Sequence, residues 1–145
     1  MTRVFRVQDF HGRGPYRPGT SHRWTDAGHE ARNPTFFEEF PGIVDKINYY
    51  GHRENTGCAF RTLDQLRAWF SEAERARLAG LGYRIVSMNA DRVIAESKNQ
   101  IVFGRRKHFS RGAVEVPWGA VLLVAACSAP RGPVQVFPKS GRGLC

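Results

Sequence analysis

The chain lacks the sequence features of several common protein classes. Its three cysteines, Cys58, Cys127 and Cys145, are far apart and form no CxxC pair, which argues against a cysteine-based zinc site and against a disulfide framework. No HExxH, GxSxG or GxxxxGK[ST] motif occurs, so zinc-protease, serine-hydrolase and P-loop chemistry are not indicated. The longest apolar run, residues 120–127, is far shorter than the roughly 20 residues of a membrane-spanning helix.

Acidic residues are also scarce relative to basic ones. The chain holds 22 Lys and Arg against 13 Asp and Glu, a formal net charge of +9. The densest positive cluster comprises Arg105, Arg106, Lys107 and Arg111. Basic clusters attract phosphates and acidic surfaces, so these residues are predicted to contact nucleic acid or a partner protein. The alternative interpretation is a solvated face that keeps the protein soluble.

Length and composition indicate one domain that needs no metal for stability. The 145 residues contain 41% hydrophobic and 24% charged side chains, as in ordinary globular domains. We predict a single α+β domain over residues 1–126, followed by a segment, residues 127–145, with little periodicity. The first residues have no apolar core of a signal peptide, so we expect a cytoplasmic protein that is not inserted in a membrane.

Apolar periodicity predicts a small mixed or split antiparallel sheet flanked by two or three helices, an α+β fold. The sequence indicates strands at Arg3–Asp9, Tyr83–Met88, Gln100–Arg105 and Val114–Val116, a helix from Ile43 to about Tyr50, and a turn or short helix at Asp91–Glu96. Residues 10–33 are rich in glycine, proline and polar residues and are predicted to form a long loop, which is often functional.

That loop contains aromatic and histidine residues whose role the sequence leaves open. Tyr16 and Trp24 could belong to the core or could stack on a ligand, whereas Phe60, Trp69 and Phe70 are expected in the core. His11, His22 and His29 lack metal-ligand spacing, and surface histidines are far commoner than a metal site closed in space.

The most informative stretch runs from Gly57 to Phe70. A short apolar run ends at Thr62, and Gln65 follows three residues later, which is the spacing of a helix capping box. The stretch therefore predicts a strand, a tight turn and a helix, with the Thr62 hydroxyl at the turn. Ser71 and Glu74 repeat the same spacing at the start of a second helix.

Three short segments together resemble the scaffold of ADP-ribosyltransferases. They are Val4-Phe5-Arg6, then Cys58-Ala59-Phe60-Arg61-Thr62, then Asn99-Gln100-Ile101-Val102-Phe103. In that family three separated strands meet around NAD. The first strand carries an Arg or His that holds the cofactor, the second runs into a Ser/Thr turn and a helix, and the third carries a catalytic Glu.

The resemblance implies an NAD-binding ADP-ribosyltransferase-like protein that would modify a host macromolecule. By this resemblance Arg6 would hold the cofactor, Phe60 would pack on nicotinamide and Thr62 would order the turn. Gln100 occupies the position of the catalytic Glu, and a neutral amide stabilises positive charge at the ribose less than a carboxylate does. Glu96, four residues earlier, could substitute only if the chain there turns back into the site, so the sequence leaves enzymatic turnover open.

The Gly12–Tyr16 stretch, GRGPY, also resembles small proteins of phages and prophages. This likeness leaves a different class of function open. The chain would then be a non-catalytic basic phage protein that inhibits a host nucleic-acid machine, or binds nucleic acid itself. A structural accessory protein is a third possibility. In these alternatives Arg6, Thr62 and Gln100 are ordinary strand-edge and cap residues.

Overall fold

The computed structural model describes residues 1–121 and contains short helices and six strands. The strands are β1 (Thr2–Gln8), β2 (Asn55–Ala59), β3 (Arg84–Ala90), β4 (Arg92–Glu96), β5 (Ile101–Arg105) and β6 (Val114–Val116). The helices are α1 (His29–Arg32), α2 (Phe36–Glu39), α3 (Ile43–Gly51), α4 (Leu63–Trp69) and α5 (Glu72–Gly80), with a 3-10 turn at Ser21–Arg23. The predicted α+β class is confirmed. Residues 127–145 and the predicted boundary at 126 lie outside the described residues.

The strands form two antiparallel sheets of three strands each, in the orders β1-β3-β6 and β2-β5-β4. A bridge between Phe5 and Phe60 joins them, with both N···O distances at 2.7 Å. Ala59 pairs with Ile101, so β2 links β1 to β5. The three strands that carry the ADP-ribosyltransferase-like segments are therefore neighbours, and the split antiparallel sheet expected from the sequence is present.

Two helix starts follow the predicted capping boxes. Thr62 Oγ1 accepts a hydrogen bond from Gln65 N at 3.1 Å, and Gln65 Oε1 accepts one from Thr62 N at 3.3 Å. Ser71 and Glu74 form the same reciprocal pair at the start of α5. Such caps satisfy backbone N–H groups that the first helical turn leaves unpaired, which fixes where each helix begins.

The alternation of β1 places its residues against two apolar clusters. Val7 belongs to the larger cluster, which includes Trp24, Phe60 and Trp69. Val4 belongs to the smaller one, which includes Phe103 and Phe109. Phe60 and Trp69, expected in the core, are 1% and 4% exposed. Trp24 is fully buried, so the long loop supplies part of the core rather than only covering it.

One sequence prediction about local structure was wrong. A turn or short helix was expected at residues 91–96, but Arg92–Glu96 form strand β4, which pairs with β5 through an irregular register between Val93 and Ala95. Ile94 is buried by this pairing, at 9% exposure. No helix among residues 1–121 has the length and apolar character needed to cross a membrane.

Candidate functional site

A cavity of about 940 Å³ lies between the segment 16–38, the end of α4 and the start of β5. Its wall includes the aromatic rings of Tyr16, Phe36 and Trp69, together with His29 and Gln100. Small-molecule sites commonly have volumes of about 300–1,000 Å³ and aromatic walls with a few polar groups. The cavity therefore has the size and the chemical character of a ligand site.

Gln100 is a buried polar residue in the wall of this cavity, at 1% exposure. Its amide Nε2 donates to Glu39 Oε1 at 2.6 Å. Its carbonyl Oε1 is buried and has no hydrogen-bond partner within residues 1–121. An unpaired buried acceptor costs about 1–3 kcal/mol, and such atoms are uncommon in native proteins. Because Oε1 itself has no exposed surface, a ligand in the cavity could pair with it only after a rotation of the Gln100 amide.

Glu39 places a carboxylate next to the position where the resemblance expects one. Besides the Gln100 amide, Ser97 Oγ donates to Glu39 Oε2 at 2.5 Å and Asn99 Nδ2 donates to it at 2.8 Å. The turn before β5 thus surrounds a carboxylate that comes from α2. The contact between Glu39 and Gln100 spans 61 residues of sequence, so no local pattern connects the two.

A buried chain of hydrogen bonds leads from Glu74 to the cavity wall. Glu74 Oε2 and His29 Nδ1 are 2.8 Å apart, and His29 Nε2 and Tyr16 Oη are 2.5 Å apart. The indole Nε1 of Trp69 donates to Tyr16 Oη at 3.2 Å. Glu74 and His29 are 0% and 6% exposed, whereas Tyr16 is half-buried. Both His29 and Tyr16 line the cavity.

Glu74 is held in its ionised form by the groups around it. Burial alone would raise the pKa of this carboxyl, but hydrogen bonds from His29 and from the backbone N–H groups of Ser71 and Asp26 outweigh burial and lower the pKa. Arg32 Nη2 also donates to Glu74 Oε1 at 2.9 Å. An ionised carboxylate accepts hydrogen bonds and donates none, so His29 Nδ1 must carry the proton in that pair.

The cavity wall is acidic. Asp26, Glu30 and Glu38 contribute to it, and no Lys or Arg does so within the described part of the chain. Arg32 pairs with Asp26 at 3.1 Å, which offsets one of these charges. Glu30 and Glu38 are exposed and form no ion pair among residues 1–121. The remaining negative charge favours a neutral or cationic ligand group over an anionic one.

Arg6, the expected cofactor-binding residue, is buried at 2% exposure, away from Gln100. Its Nη1 donates to the carbonyl of Cys58 at 2.8 Å, and its guanidinium lies 4.5 Å from the centre of the Phe109 ring. Burial lowers the pKa of Arg6 to about 10, although Asp9 acts in the opposite direction. These contacts join β1 to β2 and to the loop after β5.

Phe60, Thr62 and Glu96 have structural contacts of their own. Phe60 packs in the core against Trp69 rather than on an open surface. Thr62 caps α4 on the protein surface. Glu96 accepts hydrogen bonds from Arg61 at 2.6 and 2.8 Å, which lower its pKa, and it does not line the cavity. Of the five predicted cofactor and catalytic residues, Gln100 alone lies in the wall of this cavity.

The predicted basic cluster divides into one buried and three exposed residues. Arg105 is 6% exposed, and its guanidinium donates to the carbonyls of His108 and Arg111 at 2.8 and 2.6 Å. Burial lowers the pKa of Arg105. The expectation of four surface residues is therefore corrected to Arg106, Lys107 and Arg111, which are exposed on the loop that Arg105 organises.

Tyr16, His29, Glu39 and Glu74 are candidate functional residues that sequence reasoning did not assign. Their partners lie 13 to 61 residues away in the chain, so no spacing rule connects them. One usable signal was the presence of three histidines and three aromatic residues in a long polar loop, which is a common location for functional residues. No group of three or more His, Cys, Asp or Glu side chains in residues 1–121 could hold a metal ion.

These features define an α+β protein with a split antiparallel sheet and an aromatic, acidic cavity beside it. The sequence profile of the Bacteriophage T4 Y00F protein family matches residues 1–116, and the chain belongs to this family. The expected relationship to phage proteins is thereby confirmed. No curated protein and no solved structure matches the chain.

Proposed function

We propose that this phage-family protein is ADP-ribosyltransferase-like and binds NAD, with the nicotinamide end of NAD in the cavity that Gln100 lines. The observation that carries the proposal is the composition of the cavity wall. It combines Gln100, which occupies the catalytic position in the resemblance, with aromatic rings and with Glu30 and Glu38, two carboxylates that form no ion pair among residues 1–121. Arg6 has a supporting role in this proposal, because it holds β1 and β2 together without lining the cavity.

The charge of the wall suits the nicotinamide ring, which is cationic in the oxidised cofactor. Aromatic faces such as those of Trp69 and Tyr16 attract cations by about 0.5–2 kcal/mol. The carboxylates of Glu30 and Glu38 add electrostatic attraction. The same wall repels phosphates, so the pyrophosphate would remain outside the cavity.

Gln100 and Glu39 suit the groups next to that ring. After a rotation of its amide, Gln100 Oε1 could accept a hydrogen bond from the nicotinamide carboxamide or from a ribose hydroxyl, which would satisfy an acceptor that is otherwise buried and unpaired. Glu39 does not itself line the cavity, but its carboxylate is hydrogen-bonded to the Gln100 amide and would act on the ribose through its electrostatic field. A negative charge there would stabilise the positive charge that develops on the ribose as nicotinamide leaves. The acceptor of the ADP-ribosyl group would be a host macromolecule.

Calorimetric titration with NAD⁺ and with NADH tests the binding. The two molecules share every phosphate and differ in the charge of the nicotinamide ring. We expect NAD⁺ to bind at least about tenfold more tightly, a difference of about 1.4 kcal/mol. Equal affinities would contradict the role of the acidic wall, and no binding of either would refute the proposal.

Two substitutions locate the binding in the cavity. Gln100→Met keeps the side-chain volume and removes the acceptor, so it should weaken NAD⁺ binding. Glu30→Gln removes one carboxylate from the wall and should weaken NAD⁺ binding by about fivefold without affecting NADH. Asp45→Asn removes the same charge from the exposed surface of α3, outside the cavity, and serves as the matched control. Equal effects of Glu30→Gln and Asp45→Asn would place the ligand elsewhere.

Turnover is tested by the release of nicotinamide. If Glu39 supplies the missing carboxylate, the wild-type protein should hydrolyse NAD slowly and Glu39→Gln should lower the rate more than the affinity. Nicotinamide release is quantified by chromatography, with NAD⁺ affinity measured in parallel. If Glu39→Gln does not change the rate of nicotinamide release, Glu39 has no part in the reaction, although the proposal that the cavity binds NAD would still stand.

A second candidate function rests on the ordered basic loop. Arg105 and the Asn55 amide, which donates to three successive carbonyls of residues 105–107 at 3.2 Å, fix the backbone of this loop. A fixed loop that presents Arg106, Lys107 and Arg111 could contact nucleic acid or an acidic surface of a host protein. Filter binding at low and high salt tests it, with Arg106→Glu expected to weaken any complex and to flatten its salt dependence.

A further inference from the structure

We infer that Glu74, His29 and Tyr16 form a proton relay that makes the Tyr16 phenol oxygen a nucleophile at the cavity wall, able to take up an electrophilic group from a neutral or cationic donor. This inference does not require the donor to be NAD. It follows from three observations. The first is the order of donors and acceptors along the hydrogen bonds, and the second is the Trp69 indole N–H, which also donates to the phenol oxygen. The third is that Tyr16, at the end of these hydrogen bonds, lines the cavity.

The order of donors and acceptors is fixed from the Glu74 end. Glu74 is ionised, so it accepts the proton of His29 Nδ1 across 2.8 Å. Asn33 Nδ2 is farther from His29 Nδ1, at 3.4 Å, and donates instead to the carbonyl of Trp69 at 3.0 Å. In the tautomer that the relay requires, His29 carries its only proton on Nδ1 and has a lone pair on Nε2. That lone pair faces Tyr16 Oη at 2.5 Å, so the phenol donates to the imidazole.

This arrangement has the parts that activate a nucleophile in enzymes. A hydroxyl lies within hydrogen-bond distance of a base, and a third group orients the base. Glu74 is itself fixed by Arg32 and by backbone N–H groups, so the orienting carboxylate cannot turn away. The Trp69 indole N–H donates to Tyr16 Oη at 3.2 Å and would stabilise negative charge on that oxygen.

The chain of hydrogen bonds from Glu74 to Tyr16 reaches the cavity and is therefore not a purely internal network. Tyr16 is half-buried and lines the cavity together with His29, whereas Glu74 at the other end is fully buried. The acidic residues Asp26, Glu30 and Glu38 in the same wall disfavour anionic donors. The substrate class is therefore a neutral or cationic electrophile with a good leaving group.

The covalent step balances in atoms and electrons. Tyr16 Oη forms a bond to the electrophilic atom, and the bond from that atom to its leaving group breaks. The leaving group departs with the electron pair of the broken bond. The phenol proton moves to His29 Nε2, and the resulting imidazolium is stabilised by Glu74 through the Nδ1–H.

An arylsulfonyl fluoride, a neutral electrophile that releases fluoride, tests the inference on the intact protein. Tyr49 is 75% exposed and provides an ordinary phenol as an internal control. We expect Tyr16 to be sulfonylated at least about tenfold faster than Tyr49, as measured by peptide mass spectrometry over time. His29→Gln and Glu74→Gln should each remove this advantage without changing the rate at Tyr49.

Two results would overturn the relay. The first is labelling of Tyr16 no faster than labelling of Tyr49 in the wild-type protein. The second is an unchanged Tyr16 rate in a folded His29→Gln variant. Because either variant could fail to fold, nitrogen-15 NMR of the wild-type imidazole provides a second readout. The resting imidazole should carry its only proton on Nδ1, and a proton on Nε2, in the neutral or the doubly protonated ring, would also overturn the inference. Neither readout depends on NAD binding.

Discussion

The contact between Gln100 and Glu39 makes a sharp prediction for the substitution Gln100→Glu. In the wild-type protein the amide Nε2 donates to Glu39 Oε1 at 2.6 Å, in a setting where Gln100 is 1% exposed. A carboxylate at position 100 has nearly the same shape as the amide but no proton to donate. Two negative charges would then lie at hydrogen-bond distance in place of a favourable contact.

The size of the penalty is limited by protonation. Two unit charges about 4 Å apart repel by about 4 kcal/mol at an effective dielectric constant of about 20. A proton shared between the two carboxyl groups removes this repulsion and restores a donor. At pH 7, binding that proton to a carboxyl group with an ordinary glutamate pKa of about 4.3 costs about 3.7 kcal/mol, at 1.36 kcal/mol per pH unit. We therefore expect a loss of about 3–4 kcal/mol at pH 7.

The penalty should depend on pH with a defined sign. The folded pair in the variant binds a proton more tightly than the unfolded chain, so its pKa is raised. The variant is therefore relatively stable below the unfolded pKa of about 4.3, and its stability falls as the pH rises toward the folded pKa. At pH 5 the loss from this cause should be only about 1 kcal/mol.

Urea unfolding at pH 5 and pH 7 measures this difference. The control is Gln100→Met, which removes the same hydrogen bond and also the unpaired acceptor without adding a charge, so its effect on stability should be small and nearly equal at both pH values. Either of two results would refute the contact between Gln100 and Glu39. The first is that the Gln100→Glu variant is as stable as the wild-type protein at pH 7. The second is that the variant loses the same amount of stability at pH 5 and at pH 7. The proposed source of the carboxylate would then be lost as well.

Three further predictions concern stability. Thr62→Ala should cost about 1 kcal/mol in urea unfolding, while Thr62→Ser should be nearly neutral because the capping hydroxyl is kept; equal values for wild type and Thr62→Ala would mean that the cap contributes nothing. Glu74 has a lowered pKa in the folded state, so its contribution to stability is present above the unfolded pKa of about 4.3 and is lost as the pH falls below it. The free energy of unfolding should therefore decline less steeply below pH 4 in Glu74→Gln than in the wild-type protein. Arg105→Ala should destabilise by about 1.5–3 kcal/mol, since the buried Arg105 guanidinium donates to two carbonyls of the loop, those of His108 and Arg111. The exposed Arg106→Ala should change stability by less than about 0.5 kcal/mol, and equal effects would contradict the division of the basic cluster.

Local signals in the sequence predicted the parts of the fold that depend on neighbouring residues. The caps at Thr62 and Ser71 follow from spacings of three residues, and both are present. Strand β4 could not be predicted in this way. Val93 and Ile94 favour a strand, but a five-residue segment between Asp91 and Ser97 is too short for this local preference to decide, and its geometry is set by hydrogen bonds to β5.

The candidate site was harder to predict because its contacts are not local. The sequence pointed to Gln100, but nothing near it indicates Glu39 as its partner. Arg6 looks like a ligand-binding cation on a strand, yet it is buried beneath Phe109, a residue that follows about 100 positions later. His29 and Glu74 have ordinary local settings, a polar loop and a helix cap, and only the fold brings them together.

The most direct test of the cavity as the NAD site is NMR chemical-shift mapping during a titration with NAD⁺. We predict that the largest shifts occur at the indole N–H of Trp69 and at the side-chain amide of Gln100, with little change in the loop of Arg106 and Lys107. Largest shifts in that basic loop would favour the second candidate function instead. An absence of shifts at Trp69 and Gln100 at saturating NAD⁺ would contradict the account.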